Sequence, residues 1–335
     1  MEHFQGRRHL VSFDASIVPQ IFCDVLVIGS GVAGLRAALA AARGGNVLVA
    51  CKGKLDESNT AQAQGGIAAA MAPEDNPADH MRDTLAVGQG LCDEEVVRAI
   101  TDEAPARIRE LVKWGACFDR EGEGMALARE GGHSAARVVH ARGDATGREV
   151  AVTLIRRVQE TPAITVMEGA FVLDLMTSDQ GECLGALLHV RRGGLRIAWA
   201  KAVILASGGA GRVFRESTNP SIATGDGMAM AFRAGAELQD VEFFQFHPTA
   251  LYVAGASRSL ISEAVRGEGG ILVNARGERF MGKYHELGEL APRDAVSRAI
   301  VAEIRETGHT CAYLDMRHIP NLKTRFPGIY ELCMD

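Results

Sequence analysis

Three glycines near the start of the chain constrain its fold more than any other feature. They stand at positions 29, 31 and 34 within CDVLVIGSGVAGLRAALAAARGGNVLVACK, residues 23–52. The apolar run 23–28 reads as a buried strand, the Ala-rich run 35–43 as a helix, and 46–51 as a second strand. A G-x-G-x-x-G turn between strand and helix is the fingerprint of a dinucleotide-binding βαβ unit. In Gly29-Ser30-Gly31-Val32-Ala33-Gly34 each glycine has its own task. Gly29 permits the tight turn, Gly31 lets a pyrophosphate approach the backbone, and Gly34 lets helix pack on strand. The helix N-terminus adds N–H donors and a partial positive charge facing the phosphates. An NAD site would place Asp or Glu on the ribose at the end of the second strand. Cys51 and Lys52 stand there instead, with Asp56 and Glu57 further on, so the NAD reading weakens.

Length and composition bound the rest. With 335 residues, 47% of them hydrophobic, the chain has material for a large core and two domains. A formal charge of −6 gives no support for nucleic-acid binding. The seven cysteines contain no C-x-x-C pair, and the ten histidines show no metal-ligand spacing, so neither a disulfide frame nor a metal site is expected. Arg7-Arg8 opens like a twin-arginine export signal, but Asp14, Pro19 and Asp24 interrupt any apolar stretch behind it. No run approaches the roughly 20 apolar residues of a membrane span. The expectation is a soluble, cytoplasmic protein.

Along the chain, residues 1–20 read as a loose arm, 21–240 as the cofactor domain and 241–335 as a separate α+β unit. Short strands at 164–168, 171–177, 183–189 and 196–200 suggest a small antiparallel insertion against the parallel sheet. The apolar run 201–206 brings the core domain back and ends in a second glycine-rich turn, 207–211. A helix follows at 225–235, opening Gly-Asp-Gly. Residues 121–144 are polar, glycine-rich and aperiodic, which favours a functional loop.

Several segments carry chemistry. Asn59-Thr60-Ala61-Gln62-Ala63-Gln64-Gly65-Gly66 is rich in amides and flexible backbone, suited either to wrapping a planar polar cofactor or to a solvated loop. In Ala128-Arg129-Glu130-Gly131-Gly132-His133-Ser134, Glu130 taken singly reads as a surface acid and His133 as a hydrogen-bonding loop residue. His247, between Phe246 and Pro248, is equally a buried turn histidine or a substrate contact. Ser262-Glu263-Ala264-Val265-Arg266 and Glu289-Leu290-Ala291-Pro292-Arg293-Asp294 place arginines beside carboxylates. Exposed pairs of this kind are weak. In a closed site an arginine so placed can relay a proton or clamp a substrate carboxylate.

Taken together and in this order, from Cys23 to about Pro327, the segments resemble the flavoprotein family of succinate dehydrogenase, fumarate reductase and L-aspartate oxidase. The resemblance implies a Rossmann-like α/β FAD-binding domain and an α+β capping domain that closes a dicarboxylate site over the flavin. It implies FAD on the Gly29–Gly34 turn, with Lys52, the segment from Asn59 to Gly66 and Asp226 also lining it. Asn59 stands where respiratory members carry the histidine bonded covalently to FAD, and an amide cannot form that bond, so the FAD is expected to be non-covalent. The run Arg129 to Ser134, with Arg137, His140, Asp144 and Thr146-Gly147-Arg148-Glu149, resembles the L-aspartate oxidase branch. That branch implies oxidation of L-aspartate to iminoaspartate with O2 or fumarate as electron acceptor, the first step of quinolinate and NAD synthesis. It also implies a transient link to quinolinate synthase. Arg293 would then be proton donor or acceptor, His247 and Ser262 would hold a substrate carboxylate, Glu263 would shape the pocket and Glu130 would face the amino group. Ser262 replaces the family's usual Thr and keeps the hydroxyl.

The family pattern also includes a His-Tyr-Thr-type segment, a glycine-glutamate strand, an Ala-Asn-Arg segment, a Ser-Leu helix start and a C-terminal helical domain. The sequence reaches Leu332-Cys333-Met334-Asp335 without them. An exposed sheet edge and a substrate carboxylate without one guanidinium would follow. The expectation is that these 335 residues alone bind FAD poorly and turn over slowly. A fumarate reductase or succinate dehydrogenase flavoprotein subunit and a non-catalytic FAD-binding fragment stand as the alternative readings.

Overall fold

The computed structural model describes residues 9–252 and 259–334. Arg7 and Arg8 lie outside the described residues. The chain packs as two compact units, one from residues 1–62 and 150–244, the other from 63–149 and 245–335. One boundary thus falls after Phe244. Residues 63–149, which a chain-order reading keeps with the cofactor domain, pack instead with 245–335.

The first unit is built on one six-stranded sheet. Its strands are β1 (Gln20–Ile28), β2 (Val47–Cys51), β3 (Ile164–Glu168), β4 (Ala170–Thr177), β5 (Cys183–Val190) and β6 (Gly194–Leu205). Their order is β3-β2-β1-β6-β5-β4. The four strands β3, β2, β1 and β6 run parallel, while β5 and β4 add antiparallel pairs at one side. The antiparallel strands therefore extend the parallel sheet itself. Two details differ from the sequence expectation. The segment 164–168 is a parallel neighbour of β2, and residues 196–205 lie in one long strand where two were expected. Continuous apolar runs hide such joins, because a strand covered on both faces shows no alternation to mark a break.

Strand register explains the two cores. Leu26 and Ile28 of β1 share a face with Leu48 and Ala50 of β2, and Met230 packs against them. Met230 belongs to helix Asp226–Arg233. Val27, Val47 and Val49 point to the opposite face, where Ala38 of helix Val32–Ala41 covers them. Alternate residues thus serve opposite faces, as the period of two requires. The arm is tied down rather than loose at Leu10, whose N–H donates to the buried Asp174 at 2.6 Å. Asp174 also holds Arg233.

The second unit has shorter strands. Strands Ile67–Ala68, Val138–Val139 and Leu127–Ala128 form a small antiparallel sheet. Helices Pro77–Val87 and Glu94–Lys113 are capped by Asn76 and Asp93, whose side chains accept from first-turn N–H groups. One apolar cluster gathers Ile261, Val265, Phe326 and Ile329; another gathers Leu272, Phe280, Met281 and Val296. Beside the small sheet lies Arg137, fully buried, paired to Asp75 at 2.9 Å and to Asp83 at 2.5 Å. Breaking a buried pair by removing one partner leaves an uncompensated charge in low dielectric. Asp75→Asn is therefore expected to destabilise this unit by about 3–5 kcal/mol, measured by urea unfolding. A loss below about 1 kcal/mol, the range of exposed pairs, would contradict that.

Candidate functional site

In the first unit a cleft of about 250 Å³ opens where β1, β2 and β6 end. Gly29, Ser30, Gly31, Val32, Ala33, Lys52, Asn59, Thr60 and Asp226 line it, as does the second glycine-rich strand end at Ser207 and Gly208. Gly29 has φ +115°, and a Cβ there would run into the Ala206 carbonyl. Gly34 lies behind the cleft, where any Cβ would strike the Gly29 carbonyl; its role is helix-to-strand packing. Gly31 differs from both. Its φ of −72° suits any residue, and a Cβ would meet only Thr60 Oγ1 at 3.4 Å. Only something entering the cleft gives a glycine an advantage at that position. Thr60 Oγ1 also accepts the Val32 N–H at 3.0 Å, so one helix N-terminal donor is already engaged.

Lys52 closes the far side of the cleft. Its Nζ lies 2.5 Å from Asp226 Oδ1 and 2.7 Å from Thr224 Oγ1. Burial raises the Asp226 pKa, but the bonds from Lys52 and Thr224 outweigh it and hold the carboxyl below its ordinary range. Burial pushes the neighbouring Cys51 thiol up to about 11, so it is no nucleophile near neutral pH. Ala61 and Gln62 end the helical turn Asn59–Gln62 and do not line this cleft. Ala63, Gln64, Gly65 and Gly66 belong to the second unit. There Gly66 abuts Val138 and Val139 too closely for a Cβ, and Gln64 carries a buried amide oxygen with no partner among the described residues. Sequence reasoning missed Ala170, Val172, Ile222 and Ala223 as lining residues. The β4 side chains carry no motif, and only the sheet register brings them there.

The second unit holds a cluster of buried charge. Glu263, 4% exposed, accepts from Arg293 Nε through Oε2 and forms an ion pair with Arg266 Nη2 at 3.3 Å through Oε1. Arg266, 2% exposed, also donates through Nη1 to the Glu289 carbonyl at 2.5 Å. Glu263 Oε1 and Arg266 Nε and Nη2 have no hydrogen-bond partner among the described residues. Arg293 opens helix Arg293–Thr307, and its Nη1 donates to Gln245 Oε1 at 2.8 Å. Its side chain is 38% exposed, the most accessible of the three charged groups. Ser262 is buried, and its Oγ accepts from Ala264 N–H at 3.3 Å, which leaves the hydroxyl proton to donate elsewhere.

Glu130 and His247 belong to the same electrostatic neighbourhood. Burial and then the Glu263 charge raise the Glu130 pKa, against the pull of Arg293, Arg266 and Arg325. A Cβ on the adjacent Gly131 would meet Glu263 Oε1 at 2.6 Å and the Leu290 and Ala291 carbonyls just beyond 3 Å. The loop is pressed onto the cluster. Burial, helped by Arg293, lowers the His247 pKa to about 4, so the ring is neutral near pH 7. Its tautomer follows from its partners. The Thr249 hydroxyl donates to the Ile261 carbonyl at 2.8 Å, and the Thr249 N–H donates to His247 Nδ1 at 3.2 Å. Nδ1 is an acceptor, so the proton sits on Nε2 as a donor. Of the sequence candidates, Glu130, His247, Ser262, Glu263 and Arg293 come together. Arg266 was missed as a site residue, although it lies in the run that contains Glu263. His133 is half-buried, with its ring centroid 5.9 Å from that of His80, and burial lowers its pKa so that the ring is neutral near pH 7.

Among the described residues, no helix is long and apolar enough to cross a membrane, and no group of His, Cys, Asp and Glu could hold a metal ion. Comparison with known proteins gives the family. The chain is 49% identical over 324 residues to an L-aspartate oxidase of Streptomyces coelicolor, covering 93% of this chain and 56% of that protein. A chloroplastic L-aspartate oxidase of Arabidopsis thaliana is 47% identical, with 93% and 50% covered. The chain thus spans about half the length of the curated relatives it matches. Among solved structures, an E. coli quinol fumarate reductase FrdA variant superposes with a TM-score of 0.87 at 36% identity, covering 94% of this chain and 57% of that one. Mycobacterium smegmatis Sdh1 gives 0.77 at 36%, with 95% and 56% covered. The glycine turn, the cleft beside it and a match to the FAD binding domain model over residues 24–335 agree: the chain belongs to the FAD binding domain family, and its cofactor is FAD.

Proposed function

We propose that this protein oxidises L-aspartate to iminoaspartate with a dissociable FAD. The observation that carries the reading is Glu130, a partly desolvated carboxylate beside Glu263, Arg266 and Arg293. Two arginines suit a dicarboxylate, and a further carboxylate suits the ammonium group that distinguishes aspartate from succinate. The curated L-aspartate oxidases at 47–49% identity support the same choice. Asn59 in the cofactor cleft cannot make a covalent flavin link, which supports non-covalent FAD.

FAD, when bound, supplies a two-electron acceptor, held through the glycine turn, Lys52, Asn59, Thr60 and Asp226. The chain's own residues bind and orient the substrate. His247 Nε2–H and the Ser262 hydroxyl donate to a substrate carboxylate, and Glu130 accepts from the ammonium group. Arg293 moves the proton. A guanidinium is a very weak acid in water, so the transfer is brief and runs through an Nη group, Nε being held by Glu263. Glu263 fixes that guanidinium, and Arg266 balances the second carboxylate oxygen. In the cytoplasm, fumarate or O2 would accept the electrons, and quinolinate synthase, as a transient partner, would take up the imine for NAD synthesis.

Glu130→Gln is expected to lower kcat/KM for L-aspartate by about 10- to 100-fold, the range of a hydrogen bond to a charged group, while fumarate turnover is spared. Parallel initial-rate assays check this; equal loss on all substrates would refute the assigned role. Gly31→Val should leave urea stability unchanged yet weaken FAD binding by about tenfold or more, on the order of 1.4 kcal/mol, measured by flavin fluorescence titration. Unaltered affinity would remove Gly31 from the cofactor site. His247 generates a pH effect of definite sign. Between its unfolded value of 6.5 and about 4, the unfolded chain binds a proton that the folded chain refuses. Stability contributed by the neutral ring is therefore full above 6.5 and declines as pH falls toward 4. His247→Gln should flatten the stability profile in that window, and an unchanged slope would contradict the burial argument.

A further inference from the structure

The loop that carries Glu130 is closed on itself and gripped at its far end. Arg129 Nε donates to the His133 carbonyl at 3.0 Å, and the His133 N–H donates to the Glu130 carbonyl at 3.3 Å. Gly132 takes φ +83°, which lets the turn close. The next residue is anchored twice: Ser134 N–H and Oγ donate to Asp83 Oδ2 at 2.7 and 2.8 Å. Arg137 Nη1 donates to that same oxygen at 2.5 Å. Nε and Nη2 of Arg137 donate to the two oxygens of Asp75, both at 2.9 Å. Asp75 immediately precedes the Asn76 cap of helix Pro77–Val87, and Asp83 lies on that helix, so both acceptors stand on one rigid element. Arg137 has no exposed surface, so it cannot exchange these partners for water.

A buried, fully bonded arginine of this kind is more than a stability device when a functional loop hangs from it. On one side the glycine pair packs Gly131 against Glu263 and the Leu290 and Ala291 carbonyls. On the other, the Ser134 anchor prevents retreat. Glu130 immediately precedes the first of these holds, and its carboxylate resists placement there because burial and the Glu263 charge both oppose ionisation. Without the anchor, the loop gains by moving that carboxylate toward water. We infer that Asp83, Ser134 and Arg137 are positioning residues for Glu130 and set the preference for an amino dicarboxylate over a plain one. The inference rests on the reading of Glu130 as the ammonium partner. It assigns no contact between the clamp and the substrate itself.

The test uses the protein with saturating FAD and measures dissociation constants for L-aspartate and succinate by calorimetry, with amide hydrogen exchange of residues 129–134 alongside. Ser134→Ala and Asp83→Asn should weaken L-aspartate about tenfold, leave succinate within about twofold and speed exchange in the loop. Ser134→Thr, which keeps the hydroxyl, should restore aspartate binding. Should Asp83→Asn fail to fold, Ser134→Ala decides, since it keeps the backbone donor and the Arg137 pairs. Equal weakening of both ligands, or an unchanged aspartate-to-succinate ratio in Ser134→Ala, would overturn the clamp. Glu130→Gln separates the two levels. Loss of preference there with none in Ser134→Ala overturns the clamp alone, whereas no change in Glu130→Gln overturns the reading of the site and the clamp with it.

Discussion

Glu263 is a carboxylate withdrawn almost entirely from water and shared by Arg266 and Arg293, and the rest of the substrate-side geometry follows from it. Burying one charge is prohibitive unless it is paired and hydrogen-bonded. The pairing here is deliberately incomplete in geometry: Glu263 Oε1 and two nitrogens of Arg266 lack hydrogen-bond partners among the described residues. Orphaned polar groups in a native interior call for an explanation, and a charged ligand is the natural one. Burial, helped by the two guanidiniums, keeps His247 neutral, and burial, helped by the Glu263 charge, raises the Glu130 pKa. Perturbed groups gathered in this way are a recognised mark of a functional site.

The cofactor unit depends on a different constraint, the close approach of backbone to backbone at the end of β1. Gly29 and Gly34 are required by the protein's own atoms, since a Cβ on either meets a carbonyl. Gly31 is required by none of them and faces the cleft. The three glycines of one motif therefore divide into two that build the turn and one that leaves room. Lys52 occupies the place where an acid would hold a ribose in an NAD site, and its pairing with Asp226 ties the end of β2 to the helix that follows the second glycine-rich turn.

Local sequence carried most of this. The βαβ unit was legible because apolar periodicity, turn chemistry and glycine spacing all agree over residues 23–52. Glu130, His247, Ser262, Glu263 and Arg293 were legible as motifs, but singly each had a plain structural reading; only the fold shows that burial and shared partners unite them. What stayed hidden depends on pairings distant in sequence. Ala170 and Val172 reach the cleft through sheet register, and residues 63–149 join 245–335 through packing. Arg137 stood in the motif without a role, because its partners Asp75 and Asp83 lie 62 and 54 residues away.

The most direct measurement is the visible spectrum of the protein with saturating FAD under anaerobic conditions, before and after L-aspartate, with succinate in a parallel cell. The amplitude at long incubation is the readout, so a slow rate does not confuse the answer. Bleaching by L-aspartate and not by succinate is the result expected of a site in which Glu130 meets an ammonium group beside two arginines. Bleaching by succinate alone, or a bound flavin that neither compound reduces, would contradict the account.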